Sequence, residues 1–123
     1  MNTAENILDD DWQTNPNKKK KIRELNDLLR TTFSGGDLVI TAGIDGLGLV
    51  MKAMIFEAVR NFKDFNSDND PYNEHDFGSL EVDNVQVFWK IDYYDLNHEF
   101  CSEDPSNPAL TNRVLTILLP EEY

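Results

Sequence analysis

The stretch LEVDNVQVFWKIDYY, residues 80–94, decides the fold class of this chain. Asp83 and Asn84 are residue types that favour a two-residue turn between antiparallel strands. On both sides of this pair, apolar residues alternate with polar ones, which is the period of a half-buried strand. The stretch therefore predicts a β-hairpin with a long second strand over residues 85–94.

The hairpin turn also predicts which side chains meet across the two strands. Counting back from the turn places Phe77 opposite Lys90 and His75 opposite Asp92. His75, Lys90, Asp92 and Tyr94 would then gather at one end of the hairpin, where a histidine oriented by a carboxylate suits general acid–base chemistry. A structural hydrogen-bond network that ties a loop to the sheet is the alternative, and the sequence leaves both open.

The segment before the hairpin predicts two helices separated by a short strand. Asn15 precedes Pro16, as a capping residue precedes a proline in the first helical turn. We expect this helix to end at residues 34–36 (Ser-Gly-Gly), a strand to follow at 38–41, and Asp45 to cap the second helix. The helical stripe expected to follow Asp45 is Leu47, Val50, Met51, Met54, Ile55, Ala58, Val59 and Phe62.

Residues 114–119 are apolar at both odd and even positions, which favours a central strand. The predicted fold class is α+β, with two helices packed on one face of a small, mainly antiparallel sheet of about four strands. We expect a flexible acidic arm over residues 1–14 and a single domain over 15–123. The expected core is Leu25, Leu28, Val50, Met54, Ile55, Val87, Trp89 and Ile117.

The formal charge of −12 lies entirely in the second half of the chain. Residues 64–123 contain fourteen acidic side chains against Lys90 and Arg113, whereas residues 1–63 are neutral. Such a charge repels nucleic acid and membrane surfaces and attracts a basic protein, although it can also serve solubility alone. The acids expected to bind a partner are Asp68, Asp70, Glu74, Asp76, Glu99, Glu103 and Asp104.

Composition further limits the class of protein to which this chain can belong. The longest apolar run is far shorter than the ~20 residues of a membrane helix, and the first residues lack the pattern of a signal peptide. Cys101 is the one cysteine of the chain, which makes an internal disulfide impossible and a catalytic thiol or zinc site unexpected. We expect a cytoplasmic protein without a cofactor, and the sequence leaves its oligomeric state open.

Three further motifs have weak functional signals. Asp64, Asn66, Asp68 and Asp70 have the alternate spacing that opens a calcium loop, but Asn69 stands where the sharp turn needs glycine. No metal site is therefore predicted, and a loop of Asx turns is the better interpretation. The glycines of residues 43–48 (GIDGLG) do not have dinucleotide-binding spacing. The lysines of residues 18–21 fit a solvated helix face.

The segments NDPYNEHDFG (69–78) and FWKIDYYD (88–95) resemble those of a bacterial domain-of-unknown-function family. This family is common in proteobacteria and often lies on plasmids and phage-like elements. The similarity extends over roughly residues 20–123, through IRELNDLLR (22–30), LVIT (38–41) and RVLTI (113–117). Ala42 departs from the family, which usually has a basic or bulky residue there, and this weakens an anion site.

The resemblance implies a context rather than an activity, because the family has no established reaction. Small acidic proteins of mobile elements often interfere with host defence. We therefore expect an inhibitor of the anti-CRISPR or anti-restriction type, which binds a basic protein or nuclease complex and no nucleic acid directly. The alternative is a small enzyme or metal-binding protein that uses the His75 and Asp92 cluster.

Overall fold

The computed structural model of the chain describes residues 11–123. No helix in this range is long and apolar enough to cross a membrane. The helices and strands are α1 (Pro16–Thr32), β1 (Asp37–Ile40), α2 (Ala42–Asp45), α3 (Leu49–Arg60), β2 (Phe77–Val82), β3 (Val85–Tyr94) and β4 (Asn112–Leu118). Two 3-10 turns, Pro108–Leu110 and Pro120–Glu122, flank β4.

The four strands of the described chain form one sheet in the order β1-β4-β3-β2. Strand β4 runs parallel to β1 and antiparallel to β3. The β2–β3 hairpin turns at Asp83 and Asn84, both with positive φ, and pairs Phe77 with Lys90. The predicted α+β class, the hairpin register and the central position of β4 are confirmed.

Helix α1 begins and ends through local hydrogen bonds. The Asn15 side chain accepts from the amides of Asn17 and Lys18, and Pro16 follows in the first turn. At the other end, Phe33 adopts a left-handed conformation with φ 58°, and its amide donates to the carbonyl of Leu29. The predicted N-terminal cap is confirmed.

The second helical segment differs from the prediction. Asp45 ends the short helix α2, which Thr41 caps by accepting a bond from the Ile44 amide. Helix α3 then begins after Gly48, whose φ of 93° favours glycine. The expected single helix that starts at Asp45 is therefore wrong, because the glycine-rich turn between the two helices reorients the chain.

The core differs in part from the expected set. Ile55, Val87, Trp89 and Ile117 are fully buried, as predicted. Leu28, Val50 and Met54 were expected in the core as well, but they are 47%, 75% and 43% exposed. The core also contains residues outside the expected set: Ile22, Leu29, Ile44, Val59, Phe62, Val82, Ile91, Leu115 and Leu118.

The helices cover one face of the sheet, and Trp89 is the largest side chain fully buried against them. Its indole leaves no room for a side chain at Gly78, where an added Cβ would lie 2.6 Å from the Trp89 Cε2 atom. The opposite face of β3 presents Phe88, Lys90, Asp92 and Tyr94, which are only partly buried.

The chain before α1 is attached to the domain from residue 11 onward. The carbonyl of Asp11 accepts bonds from the amides of Thr14 and Asn15. The ring of Trp12 packs edge-on against Tyr93 with centroids 6.4 Å apart. Of the predicted arm over residues 1–14, residues 1–10 lie outside the described part of the chain, and residues 11–14 form this turn.

Candidate functional site

The structure does not bring His75 and Asp92 together as a pair. Strand β2 begins at Phe77, and His75 has a left-handed backbone with φ 55° that turns it out of the ladder. The Asp92 carboxylate instead lies 3.0 Å from the ammonium of Lys90 on the same strand. The predicted contact is therefore wrong, whereas the placement of Lys90 beside Asp92 is confirmed.

His75 joins the loop before β2 to helix α1. Its Nδ1 atom lies 2.8 Å from the Asp27 carboxylate, and its Nε2 atom lies 3.6 Å from that of Asp70. The ring stacks on Phe65 with centroids 3.8 Å apart and planes 4° from parallel. The Nδ1 contact is within hydrogen-bond distance, and the Nε2 contact is longer than a hydrogen bond. The imidazole therefore acts as a structural link.

The residues with calcium-loop spacing use their side chains on the loop's own backbone. The Asn66 side chain accepts from the amides of Asp68 and Asn69, and the Asn69 amide group donates to the carbonyl of Asp64. Asp70 accepts from the amides of the two residues that follow Asn73. Within residues 11–123 no group of acidic, histidine or cysteine side chains has the geometry to hold a metal ion.

A buried polar network lies between helix α1 and the sheet. The Tyr93 hydroxyl donates to the Glu74 carboxylate at 2.7 Å and accepts from the Asn26 side chain at 2.8 Å. The Asn26 oxygen in turn accepts from Arg113 at 2.7 Å. Lys19 completes the network with an ion pair of 3.0 Å to Glu74. Buried charges persist when they are paired and hydrogen-bonded in this way.

Burial, followed by the charge of Glu74, raises the pKa of Tyr93, so that its hydroxyl remains a neutral donor. Burial lowers the pKa of Arg113. Sequence reasoning missed Asn26 and Arg113, although a signal was present. Asn26 interrupts the apolar stripe of α1. Arg113 lies on the same inward-facing side of β4 as Leu115 and Ile117.

Asp76 lies next to this network, and its pKa departs from the ordinary value of a carboxyl group. Burial first, and the nearby charge of Glu74 second, raise the pKa of Asp76 from 3.8 to about 6. Its backbone carbonyl accepts from the Ile91 amide, which holds it at the start of the hairpin. A partly buried carboxylate among other carboxylates favours a cation or a proton as its neighbour.

The acidic side chains predicted to bind a partner differ in their exposure to solvent. Asp68, Glu99 and Glu103 are exposed on loops. Asp70 and Glu74 are each only 7% exposed and bonded within the fold, so the expectation that they face a partner is wrong. The Asp70 side chain accepts a hydrogen bond from the loop backbone, and the Glu74 side chain accepts one from the Tyr93 hydroxyl.

Asp104 is also engaged within the fold, although it is less buried. Its carboxylate lies 3.1 Å from the Lys18 ammonium and accepts from the hydroxyl and amide of Ser106. Two of the lysines at residues 18–21 thus bind acids of distant loops, since Lys19 binds Glu74. A third, Lys20, lies 3.8 Å from Glu24 on the solvated helix face.

The glycine-rich turn binds an anion from its own chain. The Glu122 carboxylate accepts from the Gly43 amide at 2.9 Å, from the Leu119 amide and from the Thr41 hydroxyl. The bonds from Thr41 and Leu119 hold the pKa of Glu122 below its ordinary value.

Cys101 is exposed and free, in keeping with the absence of a disulfide.

Comparison with known proteins gives a family without a described activity. A family model described as "Protein of unknown function (DUF3768)" matches residues 40–122, from the end of β1 to the last 3-10 turn. No curated protein and no solved structure matches the chain.

Proposed function

This chain belongs to the DUF3768 family of proteins of unknown function, and we propose that it is an acidic interaction protein that binds a basic, nucleic-acid-handling protein. More narrowly, we propose that it is encoded on a bacterial mobile element and inhibits a host defence nuclease of the CRISPR or restriction type. The observation that carries the proposal is the distribution of charge. The fold pairs most of its cations internally and exposes acids on its loops.

Most basic side chains of the chain are neutralised within the fold. Six of the eleven form ion pairs with acids: Lys18, Lys19, Lys20, Arg30, Lys52 and Lys90. Arg113 is 2% exposed and takes no part in the surface. The surface therefore carries fewer unpaired cations than the number of basic residues suggests.

Acids remain at the surface of the two long loops. Asp64 and Asp68 are exposed in the loop before β2, and Glu99 and Glu103 in the loop before β4. None of these four forms an ion pair with a residue in the described range 11–123. With a formal charge of −12, the protein carries a negative field over about 10 Å at 0.1 M salt.

A negative surface of this kind fits a basic channel that normally binds phosphates. Such a channel attracts carboxylates by the same long-range force, and the acidic protein is itself repelled by nucleic acid. Occupation of the channel excludes the nucleic acid. Inhibition of this kind requires no reaction.

The proposal is tested by capturing the partner from the native host and measuring affinity against salt concentration. We expect binding to weaken steeply from 50 mM to 500 mM NaCl and the partner's own DNA or RNA to compete. Glu99→Gln with Glu103→Gln should slow association more than it speeds dissociation. Glu81→Gln with Asp83→Asn, at the hairpin turn, is the control of equal charge change. Affinity that is unchanged by salt would contradict the proposal.

The alternative of a small enzyme or metal-binding protein has less support. Its two central residues are separated, with His75 bound to Asp27 and Asp92 bound to Lys90. That alternative predicts loss of function on changing His75 to Gln, with the loop acids dispensable. The charge variants above therefore distinguish the two functions.

A further inference from the structure

A small cleft opens beside Trp12, at the end of the long hairpin strand. Its lining residues include Trp12, Tyr93 and Asp76, together with the exposed Cys101. We call it the Trp12 cleft. Its volume is about 250 Å³, below the roughly 300–1,000 Å³ typical of small-molecule sites. This size suits one side chain of another protein.

The fold already holds a cation against the same indole. The Lys19 ammonium lies 5.5 Å from the Trp12 ring centroid and 5.3 Å from that of Tyr72. The Glu74 carboxylate, 3.0 Å away, supplies the opposite charge. Aromatic faces with a carboxylate stabilise a cation through the ring quadrupole and the ion pair together. The Trp12 cleft has the same combination of groups.

The charges around Asp76 favour a further cation. Asp76 forms no ion pair with the residues described between 11 and 123, and it is crowded by Glu74 and Asp70. Lys19 lowers the pKa of Asp76, but burial and the neighbouring carboxylates raise it by more. Lys90 lies beside Asp92 rather than Asp76. A positive group in the cleft would offset the repulsion among these carboxylates.

We propose that the Trp12 cleft receives an arginine side chain of the basic partner. This inference rests on the proposed function and identifies the chemistry of the contact. Arginine is favoured over lysine because its planar guanidinium stacks on aromatic rings and bonds two carboxylate oxygens at once. The cleft is lined by both kinds of group, the indole of Trp12 and the acidic residue Asp76.

The test uses a short peptide with one arginine among glycine and serine residues, titrated into the full chain. The two indole N–H signals in an NMR spectrum report on the cleft directly, since Trp12 lines it and Trp89 is fully buried. We expect the Trp12 signal to shift and the Trp89 signal to stay. A peptide with citrulline, which keeps the shape and lacks the charge, should not shift either. Equal shifts with both peptides, or none, would overturn the inference.

Charge variants separate the cleft from the general field of the protein. Asp76→Asn should weaken arginine-peptide binding at least about tenfold, as expected for loss of a charged hydrogen-bond partner. Asp83→Asn changes the net charge equally at the far end of β3 and should have little effect. Similar losses in both variants would mean that only long-range charge acts, which refutes the cleft.

The captured partner distinguishes this inference from the function on which it rests. If Asp76→Asn leaves partner affinity unchanged while salt still weakens it steeply, the cleft is refuted and the acidic interaction stands. Affinity that is unaffected by salt refutes the proposed function itself. Protection of Cys101 from alkylation by the bound partner gives an independent readout of occupation at the edge of the cleft.

Discussion

The charge of Asp76 reduces the stability of the fold at neutral pH. Its pKa rises from 3.8 to about 6, so the folded protein binds this proton more tightly than the unfolded chain. The sign follows: this group lowers stability as pH rises between these two values, and the loss is complete above them. A charged group that opposes folding and lies in a cleft is typical of a functional site.

We predict that Asp76→Asn raises the free energy of unfolding at pH 7 by about 1–3 kcal/mol. The gain should shrink as pH falls and disappear near pH 4, where the native carboxyl is protonated. Urea unfolding at both pH values measures it. Asp68→Asn, on an exposed loop, should change stability by less than about 0.5 kcal/mol. A destabilised Asp76→Asn at pH 7 would contradict the raised pKa.

Single residues also explain why the predicted His75 pair failed. The alternation of β2 and β3 extends correctly as far as Phe77 and Lys90. Beyond that point Asn73 and His75 both adopt positive φ, which asparagine and histidine adopt more often than most residues but which residue type alone does not specify. Asp27, the actual partner, is 48 residues away in sequence, and no local pattern connects the two.

Elements whose signals are local could be predicted well from the sequence. The hairpin is specified by its turn residues and alternation, and α1 by the Asn15 and Pro16 cap. The parallel pairing of β1 with β4 could not be predicted in this way, because it joins Asp37 to Val114 through long-range packing. The start of helix α3 also differs from the prediction, because the chain changes direction at Gly48.

Helix α3 offers a direct test of which face is buried. Ile55 is fully buried and Met54, its neighbour, is 43% exposed. We predict that Ile55→Ala lowers the free energy of unfolding by about 2–5 kcal/mol, through lost burial and a cavity. Met54→Ala removes a similar volume from the surface and should cost less than about 1 kcal/mol. Equal losses in urea unfolding would mean that the helix is rotated from the orientation described.

On the scale of the whole molecule, net charge acts on folding and on binding with opposite sign. The acids of residues 64–123 repel one another within the folded chain, which opposes compaction. The same acids attract a basic partner, and salt screens both effects. A change in salt concentration therefore separates the proposed electrostatic binding from a general loss of structure.

We predict that raising NaCl from 20 mM to 500 mM increases the melting temperature of the isolated protein while it weakens binding to the partner. Screening shortens the Debye length from roughly 20 Å to about 4 Å, so repulsion among the exposed acids falls. The buried pair of Lys19 and Glu74, with side chains 19% and 9% exposed, is screened less and keeps its contribution. Calorimetry of the wild type and of the Glu99→Gln, Glu103→Gln variant measures the effect, and the variant should show the smaller rise.

A melting temperature that falls with salt would mean that attraction between surface ion pairs outweighs repulsion. The surface field would then be too weak to steer a basic partner, and the acidic-interaction proposal would lose its physical basis.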